Sequence, residues 1–167
     1  LGGVVVDPLD PRFLAALALS IANVASPQAN PKLGPTQLAD LPRSEVLVET
    51  ASGRHVFQVW IAADDSSRRQ GLMFIKELRP DQGMLFLFDQ PGYASFWMKN
   101  TYLSLDIAFI APDGTVANIA HETPPLSLAP IESVAPVVAV LELLAGTAAR
   151  IGLVAGNRVS YLPLATQ

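Results

Sequence analysis

Gly92–Phe109, GYASFWMKNTYLSLDIAF, combines large aromatics with isolated hydrogen-bonding groups more closely than any other segment. It reads as an apolar strand, a polar corner Lys99-Asn100-Thr101, and a second apolar strand carrying Asp106. Phe96, Trp97 and Met98 could form a pocket wall, since small-molecule sites are mostly apolar with a few convergent polar groups. Core packing uses the same residue types. Alternation sets Leu105, Ile107 and Phe109 on one face and Asp106, Ala108 and Ile110 on the other. A carboxylate among such neighbours is costly unless it is hydrogen-bonded or paired. Asp106 is therefore expected either to clasp Lys99, Asn100 and Thr101 across the corner or to face a ligand. Lys99 belongs at the sheet rim, in solvent or beside that ligand.

Secondary candidates lie further off. His121-Glu122 places an imidazole beside a carboxylate, a pair that serves as acid and base or as metal ligands. Neighbours on a strand point to opposite faces, which separates the two unless the strand ends there. His55 is the only other histidine, too few nitrogen ligands for a transition metal. An oxygen-ligand Ca²⁺ or Mg²⁺ site using Asp106, Glu122 or Glu142 stays open. Glu142, set among Val140, Leu141, Leu143 and Leu144, is expected to pair with Arg68 or Arg150. The absence of cysteine removes thiolate nucleophiles, thiolate metal sites and disulfides. No dinucleotide fingerprint, phosphate loop or nucleophile elbow is present.

The elements that must position these residues are mostly strands. Glu45–Thr50 and His55–Ala62 flank Ala51-Ser52-Gly53-Arg54 and predict a hairpin. Asp64-Asp65-Ser66-Ser67 supplies N-cap candidates for a short helix through Arg68 to Met73. Met84–Phe88 (MLFLF) is a run of strand length that predicts burial on both faces. Ser95–Met98, Leu105–Ala111 and Thr115–Glu122 read as strands separated by Gly, Pro and Asp turns. Thr123–Pro136, with four prolines, reads as an irregular loop over the sheet. Val137–Leu144 is expected as a strand on its β-branched content, followed by a short helix Ala148–Gly152 and a last strand Arg158–Leu162. Together these predict a mainly β, antiparallel sandwich or barrel-like domain with one or two short helices.

Composition adds an N-terminal boundary. Residues 1–42 hold six of the 14 prolines and only five charges, unlike the rest of the chain. Phe13–Ala25 (FLAALALSIANVA) is uncharged, follows Arg12 and precedes small residues, as in a secretory signal peptide or an N-terminal membrane anchor. An N-terminal helix packed on the domain is the other reading. We therefore expect an export segment over 1–27, a Pro-rich linker over 28–42 and a folded domain over 43–165, periplasmic or otherwise exported. A net charge of −4, with Lys and Arg scattered, argues against a phosphate-tracking surface and so against nucleic acid. Membrane contact is expected only through the N-terminal segment.

Five ordered motifs carry a family resemblance. They are Arg69-Gln70-Gly71-Leu72-Met73, Gly83-Met84-Leu85-Phe86, Phe96–Thr101 with Leu105-Asp106, Leu141-Glu142 with Ala145-Gly146-Thr147, and Gly152 with Gly156. Over roughly residues 44–162 the chain resembles the DUF192 (UPF0127) family. The resemblance implies a mainly β, sandwich-like fold, often behind a signal sequence or lipid anchor in bacteria, and implies no activity. Ser104 stands where the family commonly has Pro, and Asn157 where it commonly has Asp; the second removes one carboxylate from any acidic site.

Three functional readings follow. The first is an envelope module binding a small molecule or divalent ion in a groove bordered by Trp97, Met98, Lys99, Asn100, Thr101 and Asp106, with Arg68, His121, Glu122 and Glu142 as secondary candidates. The second is a hydrolase of an envelope carbohydrate, with Asp106 and Glu122 or Glu142 as carboxyls roughly 5–10 Å apart across one cleft. The third is a protein-interaction domain using a sheet edge or apolar patch.

Overall fold

The computed structural model describes residues 38–161; the expected export segment, residues 28–37 of the linker and the last residues of the expected domain lie outside them. After a 3-10 turn at Leu38–Asp40, nine strands and two short helices follow. Strands β1 (Arg43–Thr50), β2 (Gly53–Ala62), β3 (Gln82–Gly92), β5 (Leu105–Ile110), β6 (Val116–Thr123), β8 (Val137–Leu144) and β9 (Arg158–Tyr161) build one sheet in the order β6-β5-β8-β3-β2-β1-β9. Two-residue strands β4 (Ser95–Phe96) and β7 (Ile131–Glu132) form a second small sheet. The helices are α1 (Asp65–Gln70) and α2 (Thr147–Ile151). The domain is mainly β with two short helices, as its turn-punctuated apolar runs predict.

The main sheet is mixed rather than wholly antiparallel. β2 and β3 run parallel, with Val59 opposite Gly83 and Ala62 opposite Phe86. A tight turn cannot join parallel neighbours; here α1 and the segment after it carry the chain back to the start of β3. The two edges of the sheet meet where Thr115 bridges Arg158 and Val116 N–H donates to the Asn157 carbonyl at 2.9 Å, so the sheet curls on itself.

Both faces of the central strands are covered, which explains their continuous apolar sequences. One face carries Val48, Phe57, Ile61, Leu85, Ala108 and Leu141 into a core closed by Ile151 and Leu153. The other carries Trp60, Met84, Phe86, Ile107, Phe109 and Val140, packed under Leu72, Met98 and the small sheet. Gly83 lets β3 approach β8: a Cβ there would collide with the Glu142 carbonyl oxygen.

Two local expectations change. The strand expected over Ser95–Met98 stops at Phe96, because Met98 N–H turns away to the Ser127 carbonyl at 2.9 Å. The loop expected over Thr123–Pro136 contains β7, which pairs with β4 through Phe96 and Ile131. Among the described residues no helix is long and apolar enough to cross a membrane.

Candidate functional site

The site is built on the sheet face that carries Met84 and Phe86. Register sets Met84 of β3 opposite Glu142 of β8, and Glu142 opposite Ile107 of β5, so the Glu142 side chain rises between two apolar neighbours. It is 5% exposed, and its Oε2 is buried without a hydrogen-bond partner. Burial pushes its carboxyl up to about 8, so it is mostly protonated at neutral pH.

Above Glu142 a pocket of about 530 Å³ opens between α1, the turn after it and the β3–β4 connection. Its walls are aromatic. Phe86 and Phe96 meet edge to face with centroids 4.9 Å apart, and Phe88, Tyr93 and Trp97 complete the lining toward solvent. Tyr93 is 75% exposed and Trp97 50%, which marks them as the mouth.

Helix α1 brings charge to the same mouth. Asp64 caps it, its Oδ1 accepting Ser66 N–H at 2.8 Å and Ser67 N–H at 2.9 Å. The backbone bond from Ser67 holds the Asp64 carboxyl below its ordinary range, and hydrogen bonds from the Ser67 hydroxyl and Ser66 N–H and the nearby Arg68 charge act the same way against partial burial. Arg68 and Arg69 then fall in the last turn, where the helix carbonyls favour cations. Arg68 Nη1 donates to the carbonyls of Ala63 at 2.7 Å and Leu87 at 2.8 Å, and Nη2 pairs with Asp65 at 2.9 Å. Arg69 is exposed; its Nε donates to the Asp65 carbonyl at 3.1 Å and its Nη2 lies 3.8 Å from the Asp65 carboxylate. Gly71 turns the chain at φ 53°; a Cβ there would press on Phe86 Cζ at 3.2 Å.

The family model DUF192, described as an uncharacterized ACR, matches residues 47–161. The chain belongs to the DUF192 family. A solved structure from Sinorhizobium meliloti, described as a "putative transcription regulator", is 46% identical, covers 72% of this chain and 95% of its own, and superposes with a TM-score of 0.70. One from Novosphingobium aromaticivorans, described as a protein of unknown function, is 40% identical, covers 81% and 93%, and has a TM-score of 0.71. Among curated proteins nothing matches.

In this DUF192 domain the expected groove residues divide between several places. Trp97, Thr101, Arg68 and Glu142 line the pocket together. Lys99 is outside it, its Nζ lying 5.1 Å from the Trp97 ring centroid in a cation–π contact. Met98 is buried beneath, its Sδ accepting the Thr123 hydroxyl at 3.2 Å. Asn100 sits at φ 55° and holds the turn through its carbonyl, which accepts Phe74 N–H at 2.9 Å. His121 and Glu122 are exposed at the end of β6.

Asp106 is not the corner clasp expected of it. Its Oδ1 accepts Glu122 N–H at 2.9 Å and its Oδ2 accepts Ala148 N–H at 2.8 Å, so it secures the strand end and the start of α2. The ion pair expected for Glu142 is also absent among the described residues, since Arg68 is spent on Ala63, Leu87 and Asp65, and Arg150 reaches Thr147 Oγ1. Phe88, Tyr93 and Arg69 also line the pocket, beyond the residues expected from the sequence. A partial signal existed for the first: alternate positions of MLFLF share a face, and register carries that face to Glu142.

Proposed function

We propose that this DUF192 domain is a small-molecule-binding module of the cell envelope, with its ligand in the aromatic pocket above Glu142. One observation carries the reading. Glu142 places a carboxyl oxygen with unused hydrogen-bonding capacity deep beneath an open, aromatic-walled pocket. A buried polar atom left unsatisfied costs about 1–3 kcal/mol, which a ligand supplying the missing partner would recover.

The competing readings find less support. Among the described residues no three His, Asp or Glu side chains gather to hold a metal ion, so an organic ligand is favoured over a divalent cation. Ile107 pairs with Glu142, and Asp106 therefore faces the opposite side of the sheet, which gives no basis for paired-carboxylate hydrolysis by those two. The name of the S. meliloti relative suggests regulation of transcription, but a net charge of −4 without a basic cluster offers nothing for DNA phosphates. The envelope location rests on the apolar Phe13–Ala25 segment. A protein-contact reading draws on the exposed side chains of Phe74, Tyr102, Leu126 and Leu128, and recovery of a discrete partner lost on Leu128→Asp would favour it.

The test is a thermal-shift panel on the full chain with envelope sugars, nucleotides, small acids, amines and divalent ions. A ligand at about 1,000 times its dissociation constant adds roughly 4 kcal/mol and moves the melting point by several degrees. Shifts present in the wild type and lost in Glu142→Leu support the pocket; a panel whose shifts ignore that substitution overturns it.

A further inference from the structure

Resting on the pocket reading above, we infer that the ligand is a small zwitterion, with a primary ammonium group seated at Glu142 and a carboxylate or phosphate held at the mouth by Arg69. Three features of the pocket converge on this class. The floor offers a carboxyl oxygen that no group among the described residues uses. An ammonium group supplies hydrogen bonds and a countercharge to it at once, whereas a ligand carboxylate would set lone pairs against lone pairs.

The walls are the second feature. Phe86 and Phe96 present their rings to the pocket, and cations already gather on its other rings, Arg68 Cζ 5.9 Å from Phe88 and Lys99 Nζ 5.1 Å from Trp97; ring faces of this kind attract ammonium groups desolvated on the way in. The third is the mouth, where Arg68, Arg69 and Asp65 leave one net positive charge. A bare cation would be repelled there. Arg68 is committed to two carbonyls and Asp65, whereas Arg69, 80% exposed in its side chain, gives its Nε to the Asp65 carbonyl at 3.1 Å and keeps its terminal N–H groups, 3.8 Å from the Asp65 carboxylate, for an anion.

Binding an ammonium group at Glu142 requires the carboxyl to be ionised, and burial keeps it protonated up to about pH 8. One proton is therefore released to solvent as the ion pair forms. The charged and titratable groups lining the pocket besides Glu142 are Asp65, Arg68 and Arg69 from α1 and Tyr93 from the β3–β4 connection. β3 and β5 face Glu142 with Met84 and Ile107. Glu142 is thus the group whose titration sets the pH dependence near neutrality.

The test uses three probes of one chain length on the full protein: 6-aminohexanoate, hexylamine and hexanoate, followed by Trp97 fluorescence with Trp97→Phe as the reference for Trp60. The expected result is that 6-aminohexanoate binds about tenfold or more tighter than either single-charge probe. Affinity of both amines should rise by up to tenfold per pH unit below about pH 8, with proton release in calorimetry. Glu142→Gln, which keeps size and removes the charge, should erase the amine advantage, and Arg69→Ala the acid advantage. Hexanoate binding tightest, and weakening as pH rises, would overturn the ammonium assignment while leaving the pocket in place. Hexylamine equalling 6-aminohexanoate would remove the anion at the mouth. No Trp97 response to any probe would count against both the class and the pocket.

Discussion

Asp106 on β5 accepts the backbone N–H of Ala148 at 2.8 Å, so a strand side chain caps a helix through a residue 42 positions further along the sequence. Gly146, at the N-cap position of α2, has no side chain to do so and makes no side-chain cap. The same carboxylate takes Glu122 N–H at 2.9 Å. Asp106→Ala strands two backbone donors, one of them buried, and should destabilise the domain by about 2–4 kcal/mol, while Asp106→Asn, which keeps one acceptor, should lose about 1–2 kcal/mol. Urea unfolding checks both values. Ligand binding in the pocket should survive in any variant that folds, because Asp106 faces away from it.

The fold was largely legible because each strand is an apolar run cut by Gly, Pro or Asp, and those patterns are local. The parallel pairing of β2 with β3 was not, since nothing within either strand encodes its neighbour. Asp106 and Glu142 show the same limit for the site. Both read as acids among apolar residues, yet one is satisfied by backbone donors distant in sequence and the other by none. Trp97 stood out because an aromatic beside a polar corner is a local signal, whereas Arg69 and Tyr93 reach the pocket only through tertiary packing.

Glu142 makes stability depend on pH. Its carboxyl titrates at about 8 in the folded chain against an ordinary 4.5, so between these values the folded state holds a proton that the unfolded chain has released. This residue's contribution is intact below about pH 4.5, falls by up to about 1.4 kcal/mol per pH unit as pH rises toward 8, and then levels. Glu142→Gln does not titrate, so its stability relative to wild type should rise across that interval. Denaturation of both proteins at pH 5, 6.5 and 8 reads the gap; a constant gap would mean that burial does not hold the proton.

Two adjacent arginines should behave differently. Arg68 ties the end of β2 and the middle of β3 to α1 through the Ala63 and Leu87 carbonyls, and its Cζ lies 5.9 Å from the Phe88 ring centroid. Arg68→Ala leaves two carbonyls to find other donors and should cost about 1–3 kcal/mol. Arg69 is exposed, its Nε bond to the Asp65 carbonyl lies in solvent and its ion pair with Asp65 is long, so Arg69→Ala should change stability by less than about 0.5 kcal/mol. Melting curves on the two variants separate scaffold from mouth. A large loss with Arg69→Ala would show that it holds structure, and would remove it as a group free to meet an anion.

Leu126 tests whether the turn after β6 stores strain. It is 55% exposed and held at φ 63°, a left-handed conformation in which the Cβ of an L-residue crowds the following carbonyl. Its N–H donates to the Thr101 carbonyl at 3.1 Å, and Thr101 lines the pocket, so the strained turn braces one wall of the site. Glycine adopts this conformation freely, and the relief of about 1 kcal/mol should offset the entropy it adds to the unfolded chain. Leu126→Gly is therefore expected to leave the melting point unchanged or raise it slightly, although it deletes a large apolar side chain. A drop of several degrees would mean that the leucine side chain contributes packing worth more than the strain, and the turn would then be held by its side chain as well as by its backbone bond to Thr101.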